Sequence, residues 1–258
     1  SGRFVAAGYC CGEGDRVLRV WDIETATTRA FDLPRPPPVS GAAAIQSNPA
    51  GGITSLTFRG ESTLYSTAWD GVRRWDLASG RQATVFAAPP GGVDALVLPD
   101  RDLVLTRSLA GDCAPIVVHD LAGRSSRELP AFGACVEQVD VDPAGKILLA
   151  SDRDGILRIG RLSGGEPHLL VGHKGPAAAL ISPDRKWVAS TGADNTLRLW
   201  PVPDLDKPPL HTLPQAELVA KLKSLTNFRA VRDAKSATGW KIETGPFPGW
   251  KNVPTWQP

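Results

Sequence analysis

The sequence predicts an all-β protein made of repeated four-stranded antiparallel sheets, and three observations support this. A motif that joins a turn to a strand occurs five times in the 258 residues. Its copies are DRVLRVW (15–21), DGVRRW (70–75), CAPIVVH (113–119), DGILRIG (154–160) and DNTLRLW (194–200). Successive copies end 54, 44, 41 and 40 residues apart, and four short strands with their turns fill about 40 to 45 residues. The 26 glycines and 23 prolines suit a fold with many turns. Repeats of this length predict a β-propeller, with one blade for each copy.

The repeats resemble those of the WD40 family. The family's Trp-Asp pair is present as Trp21-Asp22 and Trp75-Asp76, and its Gly-His pair is present as Gly172-His173. The other copies depart from the Trp-Asp pair, with His119-Asp120, Gly160-Arg161 and Trp200-Pro201. The resemblance covers roughly residues 2–213. It implies blades of four strands, named a to d from the axis outward.

This template predicts about five blades of an incomplete ring over residues 1–213. Blade 1 lacks strand a, since its first strand, 4–8, aligns with strand b. The other blades are predicted over 53–86, 93–129, 136–170 and 177 to about 213. Apolar runs such as ILLA at 147–150 are typical of sheets that are buried on both faces. Propellers of this family close with more blades, so we expect the missing blades to precede residue 1 in a longer protein.

The last blade contains the residues of a hydrogen-bonded tetrad known from this family. By resemblance, His173 bridges Asp194 in the b–c turn to Ser190 on strand b, and Ser190 contacts Trp200 on strand c. Ser, His and Asp are also the residue types of a catalytic triad. No nucleophile elbow or oxyanion-hole motif accompanies them, so the resemblance favours a structural tetrad. We assign no catalytic residue.

The sequence also suggests a rim for partner binding, formed by the b–c turns and the connections between blades. The candidate residues are Asp15, Asp70, Asp112, Asp154, Pro36, Pro37 and Pro38. The aspartates are first of all turn formers, and calcium ligation is the weaker alternative. The insert 34–52 has no strand pattern, and its proline run favours polyproline II. Residues 1–213 carry a net charge of −2, so we expect an acidic rim that suits a basic or proline-reading protein. A tolerated surface insertion is the simpler alternative.

Beyond residue 213 the repeat period stops, which predicts a second region over 214–258. Leu218, Leu222 and Leu225 recur at helical spacing and predict a helix over about 214–226. The end of the chain carries four aromatic residues among prolines: Trp240, Phe247, Trp250 and Trp256. We expect them to pack the tail on the blades rather than to form a ligand cage. The run 208–250 resembles the ending of large bacterial WD40-repeat proteins, many of which carry an N-terminal Ser/Thr protein kinase domain.

Composition gives no support to several classes of function. The net charge of +2 gives no general argument for nucleic acid or a membrane surface. No apolar run approaches the ~20 residues that span a bilayer, and no signal peptide is visible. The four cysteines lack a metal-ligand spacing, so we assign no metal and no cofactor. Cys113 and Cys135 lie on the same predicted rim, and the sequence leaves open whether they are bonded, because it indicates no oxidising compartment.

These observations favour a non-catalytic propeller that binds a protein or a ligand, as a sensor or scaffold in a bacterial signalling protein with an N-terminal Ser/Thr kinase. The chain itself contains no kinase loop of the HRD or DFG type. The first alternative is the sensor propeller of a STAND-type NTPase, because the same blades serve both. The second is a propeller hydrolase or lyase. Its polar candidates on strands a are Thr54, Thr57, Asp94, Glu137, Gln138 and Asp140, which are too scattered to indicate a mechanism.

Overall fold

The computed structural model describes residues 2–8, 17–33, 52–68, 70–89, 91–110, 113–122, 124–133, 135–225, 228–236 and 238–244. The chain divides into two compact units, Ser1–Asp204 and Leu205–Pro258. The first unit contains five separate antiparallel sheets in chain order. This confirms the predicted all-β fold of WD40-type blades.

Each sheet is one blade, and its strands pair in the order in which they occur in the chain. Blade 1 has β1 (Phe4–Ala7), β2 (Val17–Asp22) and β3 (Thr27–Asp32). Blade 2 has β4 (Ile53–Arg59), β5 (Thr63–Ala68), β6 (Gly71–Asp76) and β7 (Gln82–Ala87). Blade 3 has β8 (Val93–Leu98), β9 (Leu103–Ser108), β10 (Ile116–Asp120) and β11 (Ser126–Leu129). Blade 4 has β12 (Val136–Val141), β13 (Ile147–Asp152), β14 (Ile156–Arg161) and β15 (His168–Val171). Blade 5 has β16 (Ala177–Ile181), β17 (Trp187–Gly192) and β18 (Leu197–Pro201).

The aspartate of the Trp-Asp pair holds the turn between strands c and d. Asp76 accepts hydrogen bonds from the amide and the hydroxyl of Ser79, at 2.6 and 2.7 Å. Asp22 accepts from the amide of Thr25 and from the guanidinium of Arg3. The Arg3 bond is the main reason that the pKa of Asp22 falls to about 2. The signature pair therefore has a local physical role, because an ionised carboxylate satisfies turn amides that have no strand partner.

Among the described residues, the blades share four apolar layers, one between each pair of consecutive blades. Leu18 of blade 1 packs with Trp75 of blade 2 in the first layer. The later layers contain Val72 with Val104, Leu105 with Leu148, and Leu157 with Val188. Each inner blade is thus buried on both faces. This explains why strands such as β13 are apolar at consecutive positions instead of alternating with polar residues.

Hydrogen bonds also connect consecutive blades. Arg29 on strand d of blade 1 donates to the carbonyl of Leu77, which follows strand c of blade 2. Arg127 on strand d of blade 3 donates in the same way to Leu162 of blade 4. A charged donor that reaches a buried carbonyl satisfies a backbone group beside the apolar layer. The same bond therefore holds strand d against the following blade at two junctions, between blades 1 and 2 and between blades 3 and 4.

Blade 5 differs from the prediction, because its sheet has three strands and no strand d follows β18 in the described chain. The predicted fourth strand, near residue 213, is instead a 3-10 helix at Leu210–Thr212. Pro208 and Pro209 lie immediately before this helix. Proline has no N–H to donate to a ladder, so this part of the chain is poorly suited to pair with β18.

The second unit contains helix α1 (Gln215–Leu225) and a hairpin of β19 (Phe228–Arg232) and β20 (Trp240–Thr244). The helix lies where the leucine spacing predicts it, whereas the hairpin was not predicted. Trp240 is half exposed, although the sequence predicts a largely buried side chain, and its ring contacts the guanidinium of its cross-strand partner Arg232 at 5.4 Å. Phe247, Trp250 and Trp256 lie outside the described residues. Packing of the tail on the blades stays a prediction.

Candidate functional site

Blade 5 brings the four tetrad residues into one chain of hydrogen bonds. His173 Nδ1 lies 3.1 Å from Asp194 Oδ1, and His173 Nε2 lies 2.8 Å from Ser190 Oγ. The indole N–H of Trp200 donates to the same Ser190 oxygen at 2.8 Å. Thr196 adds a hydroxyl bond to Asp194 at 2.7 Å. The network therefore runs from strand c through strand b to the b–c turn.

The donors and acceptors of this network can be assigned from chemistry alone. An indole N–H can only donate, so Ser190 Oγ accepts from Trp200. The ionised Asp194 carboxylate can only accept, so Nδ1 of His173 carries a proton and donates to it. In the neutral ring Nε2 then accepts the Ser190 hydroxyl proton. The bond from the Thr196 hydroxyl is the largest influence on the pKa of the Asp194 carboxyl, which lies well below its usual range, and the His173 bond lowers it further. Asp194 is ionised at neutral pH, and every polar atom of the tetrad has a partner.

The tetrad is closed to a substrate. The side chain of His173 is fully buried, and Ser190 is buried as well. Gly192 packs so tightly that a Cβ at this position would overlap the His173 ring and lie 2.8 Å from Asp194 Oδ1. A nucleophilic serine needs an open approach and an oxyanion hole, and Ser190 instead accepts an indole proton. The geometry is that of an internal hydrogen-bond network that stabilises the blade.

Two other blades retain part of this arrangement, which the sequence motif alone does not reveal. Trp75 donates its indole N–H to Ser66 Oγ at 2.8 Å in blade 2. In blade 3 the histidine that replaces the tryptophan has the corresponding bond, 2.9 Å between His119 Nε2 and the hydroxyl of Thr106. Burial lowers the pKa of His119, which favours the neutral ring in this bond. A bond from strand c to strand b is thus common to blades 2, 3 and 5.

Blade 4 has no tryptophan at the strand-c position that Trp200 occupies in blade 5. Gly160 replaces the tryptophan, and Ala150 takes the place of the serine on strand b. Phe132, on the 3-10 helix Pro130–Phe132 before blade 4, is fully buried and reaches the space above Gly160. A Cβ on Gly160 would lie 3.1 Å from the Phe132 ring. An aromatic ring from the preceding connection therefore occupies the space that an indole takes in other blades.

Only part of the predicted partner rim can be placed. Asp15, Asp112, Pro36, Pro37 and Pro38 lie outside the described residues. Asp70 and Asp194 lie in b–c turns, as expected. Asp154 also lies in its turn but is exposed, and the neighbouring buried Asp152 accepts the turn amides of Asp154 and Ile156, at 3.0 and 2.9 Å. The sequence motif thus indicated the turn correctly and missed the residue that holds it.

Five carboxylates on the described part of this rim are paired with arginines, whereas Asp154 is exposed. Asp70 pairs with Arg73 at 2.6 Å, and Glu137 with Arg153 at 2.6 Å. The other pairs are Asp94 with Arg107 at 3.0 Å, Asp152 with Arg158 at 2.5 Å, and Asp194 with Arg198 at 3.7 Å. These five pairs balance charge against charge, so they do not give the rim the acidic character that the sequence predicts.

Five of the six polar candidates on strands a, all but Thr57, likewise bond within the fold. Gln138 and Asp140 of blade 4 accept hydrogen bonds from the amides of Ala179 and Ile181 in blade 5, at 3.1 and 2.7 Å. Burial raises the pKa of Asp140. Thr54 bonds to Thr67 within blade 2, and Asp94 and Glu137 have the arginine partners given above. These groups do not converge on a common reaction centre.

The structure joins Cys113 and Cys135 in a disulfide, a pairing that the sequence left open. Cys113 lies in the b–c turn of blade 3, and Cys135 lies just before strand a of blade 4. The bond closes a segment with a sequence separation of 22 residues, and the two Cα atoms are 4.0 Å apart. It therefore links two blades on the same rim. The described residues contain no cluster of histidine, cysteine and carboxylate side chains that could hold a metal ion.

Comparison with known families agrees with this geometry. Residues 165–201 match the family described as WD domain, G-beta repeat. The match begins before strand d of blade 4 and ends with strand c of blade 5, so it contains the whole tetrad. None of the curated proteins matches the chain. No helix in the described part of the chain is long and apolar enough to cross a membrane.

Proposed function

We propose that this chain is a non-catalytic propeller module that binds a protein partner on the rim of its b–c turns. The observation that carries the proposal is that the tetrad and most of the polar residues on strands a and in the turns bond within the fold. The tetrad atoms, most strand-a side chains, and the turn carboxylates Asp70, Asp152 and Asp194 have partners inside the fold. Such a scaffold holds its turns rigidly, and loops on a rigid scaffold commonly carry binding function. WD40 domains generally mediate protein interactions, and the matched repeat supports the same role.

The internal pairing speaks against the hydrolase or lyase alternative. An active site needs polar groups that are free to bind a substrate and that face a common cavity. Five of the six polar candidates on strands a instead form hydrogen bonds within and between blades. The Ser-His-Asp set is buried around an indole, with no opening for a substrate. We therefore place no chemical step in this chain.

The signalling context is a further part of the proposal. The tail over 208–250 resembles the endings of bacterial WD40-repeat proteins, many of which carry a Ser/Thr kinase, and this favours a kinase-linked module over a STAND-type NTPase. The coding sequence upstream of residue 1 separates the two. A domain with HRD and DFG motifs there would support the kinase link, whereas a nucleotide-binding NTPase domain would support the alternative.

The disulfide bears on where the module works. Disulfides persist in oxidising compartments and are rare where thiols are kept reduced, so the Cys113–Cys135 bond favours an extracytoplasmic location for the blades. Alkylation of intact cells before lysis, followed by reduction and mass spectrometry, tests this. Both cysteines should resist the first alkylation. Labelling of both thiols in fresh cells would place the blades in a reducing compartment.

The rim assignment can be tested with a matched pair of charge reversals. Arg153 lies on the proposed rim and Arg185 on the a–b turn at the opposite end of its blade, and their side chains are 58% and 50% exposed. Arg153→Glu should weaken recovery of a partner captured with the intact chain, and Arg185→Glu should leave recovery unchanged. Deletion of residues 36–49 should also weaken recovery. Equal recovery in all variants would direct the search to the opposite rim or to the outer strands.

A further inference from the structure

A cleft lies between strand d of blade 2 and strand c of blade 3, with a volume of about 320 Å³. Both blades are complete four-stranded sheets, and each has another described blade on either side. Val85 and Phe86 of β7 form its apolar wall, and His119 of β10 lines it from the facing blade. Sites for small molecules commonly enclose about 300–1,000 Å³ and combine an apolar lining with a few polar groups. The cleft therefore has the size and composition of a small-molecule site.

His119 brings a polar atom to this cleft that a tryptophan would not supply. In blades 2 and 5 the same position of strand c holds Trp75 and Trp200, and each donates its single N–H to a serine on strand b. His119 uses Nε2 for the corresponding bond to Thr106. Its second ring nitrogen, Nδ1, has no partner among the described residues, and its ring lies 4.5 Å from that of Phe86. Histidine at this position thus leaves one ring nitrogen free on a residue that lines the cleft.

The charged residues that line the cleft are one acid and one base, Asp120 and Arg124. Asp120 accepts the amide of Ala122 with one carboxylate oxygen, and its other oxygen has no partner among the described residues. Arg124 is exposed and forms no ion pair or hydrogen bond with another described residue. Ser125 and Ser126 add two hydroxyl groups to the same side. The cleft therefore offers a cation, a carboxylate oxygen and neutral hydrogen-bonding groups beside an apolar wall.

The equivalent cleft between blades 1 and 2 shows that volume alone does not make this site. It is larger, about 510 Å³, and Trp75 takes the place of His119 in its lining. Its arginine, Arg29, donates to the backbone carbonyls that follow strand c of blade 2. Its Ser79 hydroxyl donates to Asp76. The cation and the hydroxyl of that cleft are thus used within the fold, whereas those of the cleft between blades 2 and 3 are available to a ligand.

We propose that the cleft between blades 2 and 3 binds a small zwitterion with an apolar side chain, which is the chemistry of an apolar α-amino acid. The ligand carboxylate pairs with Arg124 and the serine hydroxyls, because a guanidinium and a carboxylate form strong charge-assisted bonds. The ligand ammonium pairs with the free oxygen of Asp120, and its side chain packs on Phe86. The turn that supplies these charges joins strands c and d. The site is therefore separate from the proposed partner rim, which is formed by the b–c turns.

NMR titration of the full chain with L-phenylalanine tests the proposal, with 3-phenylpropionate and 2-phenylethylamine as probes that each lack one charge. L-Phenylalanine should shift the His119 ring signals saturably, and each analogue should bind at least about fivefold more weakly. Arg124→Gln should weaken L-phenylalanine and 3-phenylpropionate at least about tenfold and leave 2-phenylethylamine unchanged. Arg81→Gln is the matched control, since Arg81 is an exposed arginine in the c–d turn of blade 2, and it should bind like the parent.

His119→Trp gives an independent test from the other side of the cleft. The variant places the larger ring of blades 2 and 5 in the cleft and removes the free nitrogen, while its indole N–H can still donate to Thr106. L-Phenylalanine binding should be lost, and the melting temperature should not fall below that of the parent. The charge test uses exposed Arg124, so it decides the proposal whatever the stability of His119→Trp. Absence of saturable shifts in the parent, or equal affinity for all three probes, would overturn the proposal.

Discussion

Blades 4 and 5 solve one packing problem in two ways. Blade 5 fixes strand b to strand c with the polar chain from Trp200 through Ser190 and His173 to Asp194. Blade 4 has glycine and alanine at the Trp200 and Ser190 positions, and Phe132 from the preceding connection fills the space. The strands pair in the same register in both blades. The comparison shows that the same site beside strands b and c is filled by an indole network in blade 5 and by a ring from the preceding connection in blade 4.

The b–c turns of these blades differ in a related way. Asp194 accepts hydrogen bonds from the turn amide of Thr196 and from the ring of His173. Asp152 accepts from the turn amides of blade 4 and pairs with Arg158. Both turns thus have a carboxylate that accepts from backbone and from a side-chain donor. The carboxylate lies two positions earlier in blade 4, which is why the repeated motif does not identify it.

The largest effect is expected from Phe132→Ala. Phe132 is fully buried, and removal of a buried phenylalanine costs about 3–5 kcal/mol of unfolding free energy. Urea unfolding measures the loss. Leu169→Ala is the control on the exposed side of β15 and should stay within about 0.5 kcal/mol of the parent. A small loss for Phe132→Ala would mean that blade 4 needs no ring at this site.

The second-largest effect is expected from removal of the Asp152–Arg158 charge pair in blade 4. Arg158→Met leaves Asp152 buried without its guanidinium partner, and loss of one partner from a buried pair costs about 3 kcal/mol at the lower end of the usual range. Unfolding midpoints in guanidinium chloride provide the measurement. Arg153→Met is the control, since Arg153 is an exposed arginine in the same turn. Equal midpoints for the two variants would show that solvent or another donor satisfies Asp152.

A smaller loss is expected from Ser190→Ala in blade 5. The change leaves the Trp200 N–H and His173 Nε2 without their shared partner, and an unsatisfied buried group costs about 1–3 kcal/mol. Ser151→Ala in blade 4 is the matched control, because Ser151 is buried and its Oγ has no hydrogen-bond partner among the described residues. That variant should be neutral or slightly stabilised. Equal losses from both serines would argue that the tetrad bonds contribute nothing beyond shape.

The smallest effect is a change in pH dependence. The folded-state pKa of Asp194 is lowered, so its ionised form stabilises the fold above the unfolded value near 3.8, and this contribution is lost as pH falls through the folded pKa. Asp194→Asn should lower the melting temperature most at neutral pH, and its difference from the parent should shrink below pH ~4. Asp154→Asn, an exposed aspartate at the same motif position of blade 4, should track the parent throughout. Equal pH profiles for Asp194→Asn and the parent would refute the ionised network.

Sequence reasoning placed most strands, because turn residues and strand periodicity are local properties. It failed at the predicted fourth strand of blade 5, where Pro208 and Pro209 remove ladder donors, and it overlooked the hairpin of Phe228–Arg232 and Trp240–Thr244. The hairpin did carry a local signal, since WKIET alternates apolar and polar residues as a strand does. The tetrad residues were named from the family resemblance, and their distances and burial come from the structure.

The sequence by itself determined the repeat, the antiparallel blades and the residue types at each turn, since these depend on neighbours within a few positions. Tertiary structure alone decided which distant residues meet. The distance from Phe132 to Gly160, the Cys113–Cys135 bond and the exposed Leu197 each depend on how one blade packs against another. A motif records which positions are apolar, and the neighbouring blade determines whether those positions are buried. The leucine at the first position of strand c is therefore buried in blade 4, as Leu157, and exposed in blade 5, as Leu197.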